Sequence, residues 1–334
     1  MKPLYRNLFF IFGIVCVVFM VFHFDRDGAG ATQFLDSAWP WLPLVLAVWI
    51  PVYMLNGLAY RTIVNLTGTS RGPRLSYPAA LRLTVSGFAF SYITPMGFGG
   101  LPYRILELRE RFGTTRATAS TLLYSMTHVL SHFLLWTTAA LVFPLLYADK
   151  MDAPLAVFIV LFVLVAVLVY YVFLRGVRSG IAQKLLHLAT ILPLLSRFTN
   201  QLAARYGDAA QRLDEGLAML HRAPLAFLKA LFCEYAARLV NTWEFVFILA
   251  AFGHDISYAD ALMVLAFSSL VGNLFFFLPL QLGAREGGVA VVFALLGLAP
   301  ALGVYTALYT RVREIFWVAV GVLFIKFCPA ALKP

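Results

Sequence analysis

Residues 94–104 read TPMGFGGLPYR and residues 278–288 read LPLQLGAREGG. Each stretch interrupts an apolar run at a point where a membrane-crossing helix would otherwise continue. A proline inside a helix removes a hydrogen bond and clashes with the preceding turn, and each glycine weakens the helix further. In hydrocarbon the freed backbone groups must be satisfied by protein or by a water-filled cavity. Two interrupted segments at corresponding places in two halves of a chain point to the binding site of a transporter. Each break also carries an arginine, Arg104 in the first and Arg285 in the second, the latter followed by Glu286.

The surrounding composition is that of a membrane protein. Of the 334 residues 61% are hydrophobic and 13% charged, with a mean hydropathy of +0.83, far from the balance of a soluble domain. Several runs reach the roughly 20 apolar residues that cross a bilayer. A formal charge of +10 does not indicate nucleic acid, because Lys and Arg cluster between apolar runs, as they do on cytoplasmic loops. They read as a rim facing anionic phospholipids. Cys16, Cys233 and Cys328 lie inside apolar runs at unrelated spacings, a pattern with neither a disulfide framework nor a zinc site. Nothing resembles a P-loop, and no cofactor or metal is expected.

Charge placement sets a topology for a single membrane domain, residues 1–334. A first span over 8–24 follows Lys2 and Arg6 and reads as a retained helix rather than a cleaved signal. A second span covers 39–64. Residues 77–93 then lead into the first break, behind which YRILELRERFG is too charged to cross lipid. A hairpin entering from the cytoplasm keeps both of its ends on the basic side. Spans follow over 117–147 and 154–174, then a basic segment, 175–223, whose Leu202, Tyr206, Leu213, Leu217 and Leu220 recur at helical spacing. This segment is expected to lie on the cytoplasmic face as amphipathic helix. A fifth span over 224–252 ends at an acidic loop. Residues 258–299 form a second re-entrant hairpin, entering from outside, and a sixth span, 301–327, returns the chain to the cytoplasm. The fold class is therefore all-α and polytopic, with six full spans and two hairpins. Residues 1–150 and 151–334 form an inverted repeat. Eight full spans are the alternative.

Charges inside these apolar segments mark candidate site residues. Glu234, Arg238, Glu244, Arg285, Glu286, Arg311, Arg313 and Glu314 fall in the spans or the second hairpin. Each costs about 2.5 kcal/mol or more at the bilayer centre, roughly 20 kcal/mol together if all faced lipid. They must pair, face a cavity, or both. Glu234 and Arg238 are spaced for an i,i+4 pair, and Arg311 and Glu314 for an i,i+3 pair. Structural salt bridges between helices account for part of the set. Arg also grips phosphate by paired hydrogen bonds, and Gly97, Gly99, Gly100 and Gly283 supply backbone N–H groups free to turn toward an anion. Ser125, His128 and His132 share one face of the 117–147 span. Two His do not make a metal site; polar packing is the plainer reading and a proton relay the sharper one. The sequon at Asn65 falls on the cytoplasmic side and reads as chance.

TPMGFGGLPYR, running on into LELRERFG, resembles the first motif of the lysylphosphatidylglycerol synthase/flippase family, in its membrane flippase region. LPLQLGAREGG resembles that family's second motif, where a Pro and a Gly precede an Arg-Glu pair. The resemblance implies a polytopic helical fold that moves lipid between leaflets, with Arg104, Arg285 and Glu286 at the charged motif positions. No soluble synthase domain follows within these residues, so lipid synthesis is not part of the expectation.

The expected function is thus a lipid flippase or transporter of the bacterial inner membrane, both termini cytoplasmic. Arg104, Arg285 and Arg238 would bind an anionic or phosphate-bearing headgroup in a midplane cavity. Glu234, Glu244, Glu286 or Glu314 would orient them or carry a coupling proton. Alternatives are a membrane-embedded lipid-modifying enzyme, with His128 or an acid as general base, and an accessory subunit that docks a lipid synthase. Oligomeric state is not read from the sequence.

Overall fold

The computed structural model describes residues 36, 39–68, 72–94, 97, 99–179, 223–278 and 281–327. Nine α-helices and no strand occur among the described residues. A short 3-10 turn, Trp39–Trp41, leads into α1 (Leu42–Leu66), α2 (Tyr77–Ile93), α3 (Gly100–Phe112), α4 (Thr114–Leu146) and α5 (Ala153–Ser179). After an interval come α6 (Pro224–Ala251), α7 (Tyr258–Leu274), α8 (Ala284–Leu296) and α9 (Pro300–Phe327). The expected first span and nearly all of the amphipathic segment, residues 180–222, lie outside the described residues.

Trp39–Leu66, Thr114–Leu146 and Ala153–Arg175 are long and apolar enough to cross a membrane, and α7 is apolar but shorter. At 28 residues each, α6 and α9 extend about 42 Å, also ample for a bilayer. Both carry charges in mid-helix, three in each: Glu234, Arg238 and Glu244 on α6, and Arg311, Arg313 and Glu314 on α9. The outer surface is apolar. Along α5, Val157, Phe158, Val160, Leu161, Leu164 and Leu168 are all more than half exposed. A contiguous face of that size is intolerable in water and ordinary against lipid tails.

Two groups of four helices have matching lengths. α1 and α6 have 25 and 28 residues, α2 and α7 have 17 each, α3 and α8 have 13 each, and α4 and α9 have 33 and 28. Their neighbours match too. Successive helices pack within each group, α9 lies on α2 as α4 lies on α7, and α1 packs broadly against α6 at the centre. α5 stands outside this correspondence.

The apolar interior is divided between two clusters. One gathers Leu75, Leu83, Leu108, Leu123 and Phe227; the other gathers Leu135, Ile248, Val264, Phe293 and Tyr305. α1, α4 and α6 contribute to both, at opposite ends of each helix. α2 begins and α3 ends in the first cluster, whereas α7 begins and α8 ends in the second. The charges follow the same division. Arg61, Arg74, Arg109, Arg111, Arg116 and Lys229 outnumber Glu107 and Glu110 beside the first cluster, and Asp149, Asp255 and Asp260 outnumber Lys150 beside the second.

Local chemistry explains the breaks. At the first, the Gly99 N–H donates to Thr94 Oγ1 at 2.7 Å, and Gly97 adopts a φ of +72°. Gly100 lets α3 fold back on α2, since a Cβ there would meet Gly87 O at 2.5 Å. At the second, Gln281 and Gly283 have φ of +54° and +81°, and the Gly283 N–H donates to Glu286 Oε2 at 2.8 Å. Asn65 has a structural use: its amide donates to Leu75 O at 3.1 Å and accepts from Leu75 N at 2.8 Å, tying α1 to the segment before α2.

Candidate functional site

Between the two apolar clusters lies a cavity of about 480 Å³ with mixed polar and apolar walls, formed by α1, α2, α4, α6 and α7 together with Arg104, Arg285, Arg313 and Glu314. A second cavity of about 260 Å³ adjoins it. Phe88, Ser91, Gln281, Arg285 and Glu314 are walls of both, so the two breaks meet where the cavities meet.

Most of the ionisable residues are ion-paired across helices. Arg313 Nε donates to Glu244 Oε1 at 2.9 Å while its guanidinium lies 3.9 Å from the centre of the Trp49 ring. Trp49 Nε1 in turn donates to Glu244 Oε2 at 2.9 Å. Arg285 pairs with Glu314, which is also 3.7 Å from Arg311 and 3.8 Å from Arg313. Arg311 pairs with Glu286 at 2.9 Å. On the other wall, Glu234 Oε2 is 2.7 Å from His128 Nδ1 and 3.9 Å from Arg238, whose Nε donates to Ser131 Oγ at 2.7 Å. These contacts answer the cost of burying charge, because each acid meets at least one cation.

Arg104 is the exception. Its guanidinium sits 5.5 Å from the Tyr60 ring centre and 5.3 Å from that of Tyr124, and reaches the carbonyls of Leu83 and Thr84 at 3.4 Å. It has no carboxylate partner among the described residues. Five arginines, Arg104, Arg238, Arg285, Arg311 and Arg313, therefore stand against four acids, Glu234, Glu244, Glu286 and Glu314, leaving one positive charge in excess.

The cavity brings together most, not all, of the residues singled out by sequence. Arg104, Arg238, Arg285, Arg313, Glu244, Glu314, His128 and His132 form its walls. Gly97 and Arg311 belong to the adjoining cavity. Glu234 and Glu286 are walls of neither; both are buried behind cationic or imidazole partners. Gly99, Gly100 and Gly283 shape the breaks without lining either cavity. The i,i+4 and i,i+3 pairs of Glu234–Arg238 and Arg311–Glu314 are present, at 3.9 and 3.7 Å. No group of three or more His, Cys, Asp or Glu that could hold a metal ion occurs among the described residues.

Sequence reasoning missed Arg82, which lies buried in α2 and pairs with Glu107 of α3. That pair welds the charged α3 to α2. An arginine five residues into an apolar run was the available signal. Tyr60, Tyr124 and Trp49 were also missed, since aromatic residues in apolar helices carry no local mark of facing a guanidinium.

Among known families, a model described as the lysylphosphatidylglycerol synthase TM region matches residues 8–321. No curated protein and no solved structure matches the chain.

Proposed function

The chain belongs to the lysylphosphatidylglycerol synthase TM-region family, and from that premise we propose that it moves an anionic, phosphate-bearing lipid between leaflets with the headgroup in the arginine-walled cavity. Family membership makes it a multi-pass membrane protein with a role tied to membrane lipid. The finer reading is carried by Arg104, a guanidinium on the cavity wall with no carboxylate partner among the described residues. Arg104 is half-buried, and a phosphodiester would give its guanidinium the charge-assisted hydrogen bonds that no carboxylate supplies among the described residues. Acyl chains would remain outside, against the apolar outer surface.

The same proposal includes the topology. Matching helix lengths and neighbours, and hairpins anchored one in each cluster, support an inverted repeat of α1–α4 and α6–α9 with two re-entrant hairpins. The basic first-cluster end would face the cytoplasm of a bacterial inner membrane, both termini with it, and meet anionic phospholipids there.

Liposomes containing phosphatidylglycerol labelled on its headgroup test the function. Reconstituted protein should speed the exposure of inner-leaflet label to an external quencher, and Arg104→Ala should slow it at least tenfold. No acceleration by the unsubstituted protein for any anionic lipid, or an unchanged rate in Arg104→Ala, rejects the reading.

A further inference from the structure

His128 has two faces with different surroundings. Its side chain is 41% exposed and forms part of the cavity wall, while Nδ1 lies 2.7 Å from an oxygen of Glu234 that is fully shielded. The other oxygen of Glu234 is buried with no hydrogen-bond partner, as is Nδ1 of His132. The imidazole makes the shortest contact to this carboxylate, and the Tyr124 hydroxyl also faces it. With the hydrogen on Nδ1 donated to Glu234, Nε2 keeps its lone pair, and it has no partner among the described residues.

The charged and titratable groups facing His128 come from four helices. Glu234 and Arg238 belong to α6, Arg104 to α3, and Tyr124 and His132 to α4, while Tyr60 of α1 packs on Tyr124 with ring centres 4.7 Å apart. Arg238 lies 3.9 Å from Glu234 and makes shorter contacts to Ser131 Oγ, the His128 carbonyl and, at 3.4 Å, His128 Nδ1. Glu234 therefore retains the capacity to hold a positive charge on the ring. Arg104 and Arg238 oppose that charge, so an anion in the cavity would tip the balance.

We propose that His128, backed by Glu234, is a proton-binding site coupled to the occupation of the cavity by an anionic headgroup. This deepens the lipid-transport reading and rests on it. A proton enters from cavity water onto Nε2, and no bond other than N–H forms or breaks. The imidazolium adds one positive charge to the wall, drawing the phosphodiester in; the phosphodiester offsets Arg104 and Arg238, holding the proton. Linkage makes the two effects reciprocal. Lipid then binds more tightly as pH falls, and lipid binding takes up protons.

Binding of short-chain phosphatidylglycerol to the purified full chain in detergent, between pH 8 and pH 5.5, tests this, because a phosphodiester keeps one charge across that range. Protonation at His128 should tighten apparent affinity on the order of tenfold at the acid end. The gain should vanish in both His128→Asn and His128→Gln and persist in His254→Asn, whose histidine lies in the α6–α7 loop. Should neither His128 variant fold, unsubstituted protein decides alone. In weak buffer near pH 6.5, lipid addition should raise the pH reported by an indicator dye. Lipid binding with no pH dependence or no proton uptake overturns the coupling and leaves the transport reading standing, as does the same pH dependence in the His128 variants. No binding at any pH overturns both.

Discussion

The two breaks, so alike in sequence, handle their arginines differently. At the second break the cations are taken by carboxylates: Arg285 pairs with Glu314, and Glu286 holds Arg311 while accepting the N–H of Gly283. At the first break, among the described residues, Arg104 meets two aromatic rings and two distant carbonyls. The cations of the second break are thus tied to carboxylates of the protein itself, whereas the cation of the first has no carboxylate partner among the described residues. The two members of the Arg285–Glu286 dipeptide also differ: Arg285 walls both cavities, whereas Glu286 is buried and walls neither.

Substitutions at the two breaks can break or sharpen that contrast. The largest effect is expected for Glu286→Ala, which removes the nearer of the two carboxylates beside Arg311, leaving Glu314 at 3.7 Å, and uncaps α8; removing one partner of a buried pair costs about 3–5 kcal/mol. Thermal unfolding in detergent should show a loss several times larger than that of Arg104→Ala, where cation–π contacts are worth about 0.5–2 kcal/mol. Equal losses would erase the distinction. Next comes Gly100→Ala, whose methyl would meet Ser91 Oγ at 2.1 Å and Gly87 O at 2.5 Å. Overpacking of this kind costs about 1–3 kcal/mol and should lower both melting temperature and transport by prying α3, and Arg104 with it, away from α2. The smallest effect is expected for Gly97→Ala, where a Cβ has its nearest neighbour among the described residues at 3.9 Å but φ is +72°. Only backbone strain of about 1 kcal/mol opposes it, so a much larger loss in the melt would mean that the turn changes shape.

Much of the helical framework was legible in advance because it depends on local signals. α2 occupies 77–93 as read, bounded by a proline near its start and the broken segment at its end. The spans read at 117–147, 224–252 and 301–327 correspond to α4, α6 and α9 within a few residues. Pairs three or four residues apart were legible for the same reason. The partners that decide the site were not. His128 and Glu234 are 106 positions apart, and Glu244 and Arg313 are 69 apart. Nothing in the neighbourhood of either member names the other, and only packing of α4 and α9 against α6 brings them together.

The division of the apolar interior into two clusters bears on how the molecule comes apart. Although α1–α4 and α6–α9 have similar lengths and neighbours, α1, α4 and α6 each place one end in either cluster. Neither four-helix group therefore encloses a complete interior, and cutting the chain between α5 and α6 would leave each fragment with exposed half-faces. Denaturation should accordingly be a single cooperative transition rather than two. Within it, slow amide exchange should concentrate in α1, α4 and α6, while the two hairpins, each anchored in one cluster, should open first.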